Sequence, residues 1–195
     1  MKKVPKSIKV VISGYYGFGN FGDEAILLVL VRELKKLLPG INITVLSKTP
    51  EVTSKELGVN SVDRMNFVKV IPELMSANML ISGGGSLLQD VTGPLTIYYY
   101  LIIILLASIL GCKTVIYSQG IGPINRKLSK ILTSLILRLP VYKTVRDLKS
   151  LEFLKTLNIE SELTSDPVWL GLEDNRTKNQ QEIGISEYDN YVTIN

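Results

Sequence analysis

Apolar positions in this chain follow two alternating rhythms. A short dense run, Val10-Val11-Ile12, sits in a predicted first strand over residues 6–13. Over residues 23–38 the spacing changes to that of a helix: Ala25, Ile26, Val29, Leu30, Leu34 and Leu37 fill one broad face, and Pro39-Gly40 ends it. The alternation then repeats. Residues 43–47 read as a strand, and Thr49-Pro50-Glu51 is a helix start with Pro at its first position. A short strand at 61–64 and a helix at 67–75 follow, with Pro72 weakening the continuity of that helix. Residues 79–82 form a buried strand ending in Gly83-Gly84-Gly85-Ser86. An apolar helix leads to a strand at 114–118, which runs into Gln119-Gly120-Ile121-Gly122-Pro123. Residues 128–139 read as an amphipathic helix broken by Pro140. A strand at 141–145 and a helix from 148 to 157, capped by Asp147, lead to the loop 164–167.

Strands alternating with helices predict an α/β fold, a doubly wound parallel sheet of Rossmann-like type. Right-handed crossovers place every strand's carboxyl end on one edge. The three glycine-rich loops therefore share a rim, and ligands of such sheets bind in the crevice outside that edge.

Composition narrows the chemistry. The 195 residues, 46% hydrophobic and 21% charged, suffice for one domain with a substantial core. A lone Cys112, expected to be a small buried residue, cannot form an internal disulfide, and the absence of His removes Ser-His-Asp, Cys-His and His-metal chemistry from this chain. No metal site is expected. The net charge of +4 suits anionic substrates or a membrane surface without demanding nucleic acid, because the lysines are scattered. The amino terminus lacks a signal peptide's apolar run, which points to the cytoplasm. The uncharged stretch 91–112 approaches the length of a spanning helix, but the strand–helix pattern continues on both sides of it. A helix packed between the sheet and a neighbouring element is the expected reading.

The loop 14–24 reads Gly-Tyr-Tyr-Gly-Phe-Gly-Asn-Phe-Gly-Asp-Glu. Gly17, Gly19 and Gly22 match the dinucleotide fingerprint in form, yet Ser47-Lys48 stands where a ribose-binding acid belongs, and Asp23 and Glu24 occupy the helix start that would hold a pyrophosphate. Carboxylates there favour a neutral, hydroxylated ligand. Asp23 also fits a helix N-cap, Glu24 a partner of the helix dipole, and Asn20 a tight turn. Tyr15, Tyr16 and Phe18 either cover the loop or stack on a sugar. Three consecutive glycines, Gly83 to Gly85, imply close approach of a ligand or of backbone. Gln119, Gly120 and Gly122 give a weaker signal of the same kind. Arg146 can bind an anion or pair with a carboxylate, and Trp169 reads as a packing residue near the domain boundary.

Five ordered blocks carry a family resemblance: Gly14-Tyr-Tyr-Gly-Phe-Gly-Asn-Phe-Gly-Asp-Glu-Ala, Ile81-Ser-Gly-Gly-Gly-Ser-Leu-Leu-Gln-Asp, Ser118-Gln-Gly-Ile-Gly-Pro, Val145-Arg-Asp and Ser165-Asp-Pro-Val. Together they resemble the polysaccharide pyruvyl transferases, in particular their bacterial cell-surface branch. The resemblance implies two Rossmann-like halves arranged as in GT-B glycosyltransferases, with phosphoenolpyruvate as donor substrate and no cofactor. The product is a pyruvyl ketal on a sugar. The implied acceptor is an N-acetylmannosamine-containing cell-wall glycan or its lipid-linked precursor, used to anchor S-layer-homology proteins, with peripheral association at the inner face of the plasma membrane.

The family's catalytic His and main phosphate-binding cations belong to its carboxyl-terminal domain, the other expected partner. On this reading residues 1–172 are the amino-terminal domain, 173–182 a linker and 183–195 the start of a second domain or a tail. By the GT-B analogy this half holds the acceptor. Tyr16, Asn20, Asp23 and Glu24 then contact sugar hydroxyls, and Gly14, Gly17, Gly22, Gly83, Gly84, Gly85, Ser86, Gln89, Gln119, Gly120 and Arg146 complete the rim. Asp23 or Asp90 is the candidate base. A GT-B glycosyltransferase half and a non-catalytic glycan-binding module are the alternatives.

Overall fold

The two rhythms become alternating strands and helices in the computed structural model, which describes residues 8–91, 93 and 95–171. In chain order these are β1 (Lys9–Ser13), α1 (Phe21–Leu37), β2 (Asn42–Ser47), α2 (Pro50–Leu57), β3 (Asn60–Asp63), α3 (Phe67–Ser76), β4 (Met79–Gly83), α4 (Thr96–Ile109), β5 (Lys113–Gln119), α5 (Lys127–Ile136), β6 (Tyr142–Val145), α6 (Leu148–Thr156) and β7 (Glu162–Leu163). The strands form one sheet in the order β3-β2-β1-β4-β5-β6-β7. Every pairing is parallel. The chain winds outward from β1 to β3, returns, and winds the other way from β4, so the strand order reverses between β1 and β4. In open α/β sheets ligands bind at such a reversal.

Both faces of the sheet are covered, which is why its central strands read as apolar runs rather than alternating ones. On one face Val10, Ile12, Val45 and Ile81 pack under Leu27, Leu30 and Val31 of α1. On the other, Val11, Leu46 and Leu80 meet Val70 and Leu74 of α3 and Ile103 and Ala107 of α4. Tyr100, Leu101 and Ile104 of α4 extend that layer towards Ile116 and Val145. The uncharged stretch is thus a sheet-covering helix of 14 residues, and no helix among the described residues is long and apolar enough to cross a membrane. Cys112 is buried, as expected.

Some local expectations change. Helix α1 begins at Phe21, and its N-cap is Asn20 rather than Asp23: Asn20 Oδ1 accepts from the N–H groups of Gly22 (3.1 Å) and Asp23 (3.4 Å). The Asn20 amide oxygen, three residues earlier, satisfies the free amides and leaves Asp23 and Glu24 in the first turn. Helix α3 runs unbroken through Pro72. Pro72 and Val68 both face solvent, so water can reach the carbonyl that the missing N–H would have bonded. Trp169 is 60% exposed and does not pack as expected; its neighbours Leu170 and Gly171 instead lie against α1, where the Leu170 carbonyl accepts from Arg32 Nη2 and Gly171 meets Val29. The expected linker at 173–182 and the segment 183–195 lie outside the described residues.

Candidate functional site

Between β1 and α1 the glycine loop is shaped by Tyr16 and Glu24. The Tyr16 ring folds back over Gly14, where any Cβ would overlap it, and its hydroxyl donates to the Gly83 carbonyl at 3.0 Å. Burial drives that phenol far above its ordinary pKa. Tyr16 is therefore a strut between the first and second glycine loops. The Gly17 N–H donates to Glu24 Oε1 at 2.8 Å, and Gly17 has a φ of +78°, which ties the loop to its own helix. The Lys48 N–H donates to the Tyr16 carbonyl at 3.0 Å, pinning the same loop to the end of β2.

The triple glycine has a comparable physical reason. Gly84 and Gly85 adopt φ values of +57° and +70°. A side chain at Gly84 would overlap Ile26, and one at Gly85 would overlap the Asp23 carboxylate. The close approach is thus that of α1, whose first two turns lie directly on this loop. The third loop joins through the Gly120 N–H, which donates to the Gly85 carbonyl at 2.9 Å; a Cβ at Gly120 would press on Ser86 Oγ.

These contacts frame a cleft of about 610 Å³ at the strand-order reversal. Asn20, Gly22, Asp23, Gly85, Ser86, Gln89 and Arg146, all anticipated from the sequence, line it. Tyr15, Ile26, Leu87, Thr96, Tyr100, Asp166 and Val168 line it as well. Arg146 is fixed on both sides: Nη1 donates to Asp166 Oδ2 at 2.6 Å and Nη2 to Ser86 Oγ at 2.9 Å. Asp23 is half-buried, and desolvation raises its carboxyl pKa; Arg146 opposes that rise, while Glu24 and Asp166 add to it. The cleft thus presents a carboxyl of raised proton affinity beside one rigid guanidinium.

A family model described as polysaccharide pyruvyl transferase matches residues 20–194. The chain belongs to the polysaccharide pyruvyl transferase family. No curated protein matches it closely enough to count as a relative. Among solved structures, the chain is similar to UDP-N-acetylglucosamine 2-epimerase from Rickettsia bellii. The TM-score is 0.53 at 9% identity, over 93% of this chain and 52% of that one. That likeness shows the fold, the Rossmann-like half of a GT-B-type architecture. The chain spans about half the length of the epimerase it matches.

Other anticipated residues lie away from the cleft lining. Gly14, Tyr16, Gly17, Glu24, Gly83 and Gly84 shape the loops. Gln119 is fully buried at the end of β5, with neither side-chain polar atom bonded within the described residues. Asp90 accepts from the N–H groups of Asn125 (2.8 Å) and Arg126 (2.9 Å), and the Asn125 bond above all holds its carboxyl below the usual range. That carboxylate clamps the loop after β4 to the start of α5. No group of three or more His, Cys, Asp or Glu among the described residues is placed to hold a metal ion.

Arg64 was not legible as a site residue. It lies buried just past β3, its Nη1 donating to the Gly14 carbonyl and the Tyr100 hydroxyl, each at 3.3 Å. Its guanidinium lies 4.0 Å from the Tyr99 ring centroid and faces Phe18 and Tyr100. Tyr15 in turn stacks on Phe18 at 4.0 Å. An isolated arginine after a short strand carries no sequence signal. Asp166 did carry one, in its Ser165-Asp-Pro block.

Proposed function

We propose that this chain forms one side of the active cleft of an enzyme that transfers pyruvyl from phosphoenolpyruvate to a cell-wall polysaccharide as a ketal. Family membership supports the reaction class, and the observation that carries the local reading is the half-buried Asp23 carboxyl in the same cleft as the anchored Arg146.

The chemistry balances without a redox cofactor. The methylene carbon of phosphoenolpyruvate gains a proton, two acceptor hydroxyl oxygens bond to its neighbouring carbon, and the bond from that carbon to the phosphate oxygen breaks. Two hydroxyl protons are released; one replaces the proton delivered to carbon and the other leaves with phosphate. Asp23 receives a hydroxyl proton, since desolvation has raised its affinity for one. Arg146, held by Asp166 and Ser86, orients the donor's carboxylate or phosphate. Asn20 and Gln89 on the cleft wall offer amides to sugar hydroxyls. A second Rossmann-like half closes the cleft and supplies the acid. The acceptor is an N-acetylmannosamine-type sugar on a lipid-linked precursor at the cytoplasmic face of the plasma membrane, and the product serves S-layer anchoring.

The test incubates the chain and its cleft-completing half with phosphoenolpyruvate and acceptor disaccharide. The expected result is a pyruvylated product with one phosphate released per transfer, slowed by about a hundredfold or more in Asp23→Asn. Consumption of a nucleotide sugar in place of phosphoenolpyruvate overturns the reading.

A further inference from the structure

Helix α5 turns Ile136 and part of Leu132 into the core, yet it also leaves an apolar stripe facing outward. Its fully buried positions include Ser129 and Thr133, and Ser129 Oγ shares a hydrogen bond with the Tyr98 hydroxyl of α4 at 3.2 Å. Its outward face carries Leu128, Ile131 and Leu135, which are 58%, 56% and 59% exposed. Those three positions recur at helical spacing, so they form one stripe. The neighbouring helix α4 adds exposed Ile102 and Ile109. A surface helix ordinarily turns such residues inward.

The stripe is bordered by cations. Lys127, Lys130 and Arg138 are exposed on the same helix or directly after it, and none pairs with a carboxylate among the described residues. The asymmetry extends well beyond α5: every charged residue from 91 to 146 is Lys or Arg, whereas the rest of the chain holds more acidic than basic residues. The chain's net positive charge is therefore concentrated in the segment that forms α4, α5 and their flanking strands.

We propose that the outward face of α5, with the adjoining edge of α4, docks on an anionic phospholipid surface. Exposed leucine and isoleucine enter the headgroup boundary while lysines at the margin meet lipid phosphates. A second copy of the chain is a poorer occupant, because face-to-face pairing would bring the same lysines against one another. The helix lies on the surface rather than crossing it, since no helix among the described residues is long and apolar enough to span. The amino terminus of α5 points to the sheet edge where the cleft opens, so docking sets the cleft beside the headgroups. This extends the lipid-linked acceptor reading above, but its readout requires no pyruvyl transfer.

The test is flotation of the full chain with vesicles of phosphatidylcholine alone or mixed with phosphatidylglycerol. The expected result is binding to the anionic vesicles only. Lys127→Glu with Lys130→Glu, and separately Leu128→Gln with Ile131→Gln and Leu135→Gln, should each weaken it by at least about tenfold. Circular dichroism and light scattering on the same samples separate this from unfolding and self-association. All five positions are exposed, so both variants should retain the wild-type melting transition. Absence of binding to anionic vesicles, equal binding to neutral ones, or wild-type binding by folded variants overturns the proposal. So does a dimer that both variants dissociate while vesicle binding persists. Failure here leaves the transfer assay unaffected, and failure of transfer leaves the flotation result standing.

Discussion

Arg146 Nη1 lies 2.6 Å from Asp166 Oδ2, joining the end of β6 to the loop after β7 on the cleft wall. Both side chains are about three-quarters buried, so the pair is less screened than a surface ion pair. Asp166→Asn keeps the shape and removes the charge. We expect a loss of about 1 kcal/mol in urea unfolding. Under the proposed transfer, in which Arg146 orients the donor, a larger fall of about tenfold or more is expected in kcat/KM for phosphoenolpyruvate, because the guanidinium is loosened. Arg146→Lys should not restore the rate, since an ammonium cannot bridge Asp166 and Ser86 as a planar fork does. Unchanged kinetics in Asp166→Asn would show that the pair only supports the fold.

The glycine at position 85 is required twice, by its φ of +70° and by the Asp23 carboxylate lying where a Cβ would be. Gly85→Ala should lower stability by about 2 kcal/mol or more, combining the left-handed penalty with displacement of Asp23. In a double-mutant cycle with Asp23→Gly, part of that loss should disappear, because only the steric component depends on Asp23. Strict additivity of the two changes would place the contact elsewhere.

Asp23 and Asp90 look alike as candidate bases in the sequence but titrate in opposite directions. For Asp23 the folded carboxyl binds its proton more tightly than the unfolded one, so ionisation costs stability as pH rises through the folded pKa. Asp23→Asn should therefore be more stable relative to wild type at pH 7 than at pH 4. For Asp90 the folded carboxyl is the stronger acid, so its contribution is present above the unfolded pKa and lost as pH falls through the folded one. Asp90→Asn should be less stable than wild type at neutral pH, with the gap closing in acid. Denaturant midpoints across that range give both signs, and parallel curves for the two variants would contradict the assignment.

That contrast marks what was legible. Strand–helix alternation is a local property of the apolar pattern, so the parallel sheet and its shared rim followed from it. The loops also followed, because glycines needed at positive φ are conspicuous in sequence. Which atoms those glycines make room for depends on the third dimension. Gly84 and Gly85 admit Ile26 and Asp23 from a helix some sixty residues earlier, and Tyr16 faces inward to Gly83 although an aromatic in a ligand loop reads equally well as facing out. Asp90 follows the same logic: its partners are backbone amides at Asn125 and Arg126, invisible to any reading of residue types.

Arg64 offers the sharpest test of that hidden layer. Its backbone contacts, the N–H to the Ser47 carbonyl at 2.9 Å and the carbonyl from the Tyr99 hydroxyl at 3.1 Å, do not involve the side chain, so Ala and Lys variants report on the guanidinium. The guanidinium fills the space between Phe18, Tyr99 and Tyr100 and supports the Gly14 carbonyl beneath the glycine loop. Arg64→Ala removes a buried side chain that cannot be replaced by collapse of stiff aromatic rings, and should cost about 3 kcal/mol. Arg64→Lys should recover less than half, because an ammonium cannot stack on Tyr99 while bonding both Gly14 and Tyr100. Burial pushes the Tyr99 phenol up to about 12, with Arg64 opposing the rise, so in Arg64→Ala the tyrosine ultraviolet titration should move still higher. Tyr100 lines the cleft, and acceptor binding should weaken with it. A stable Arg64→Ala with an unchanged tyrosine titration would show that the aromatic box holds its shape without its cation.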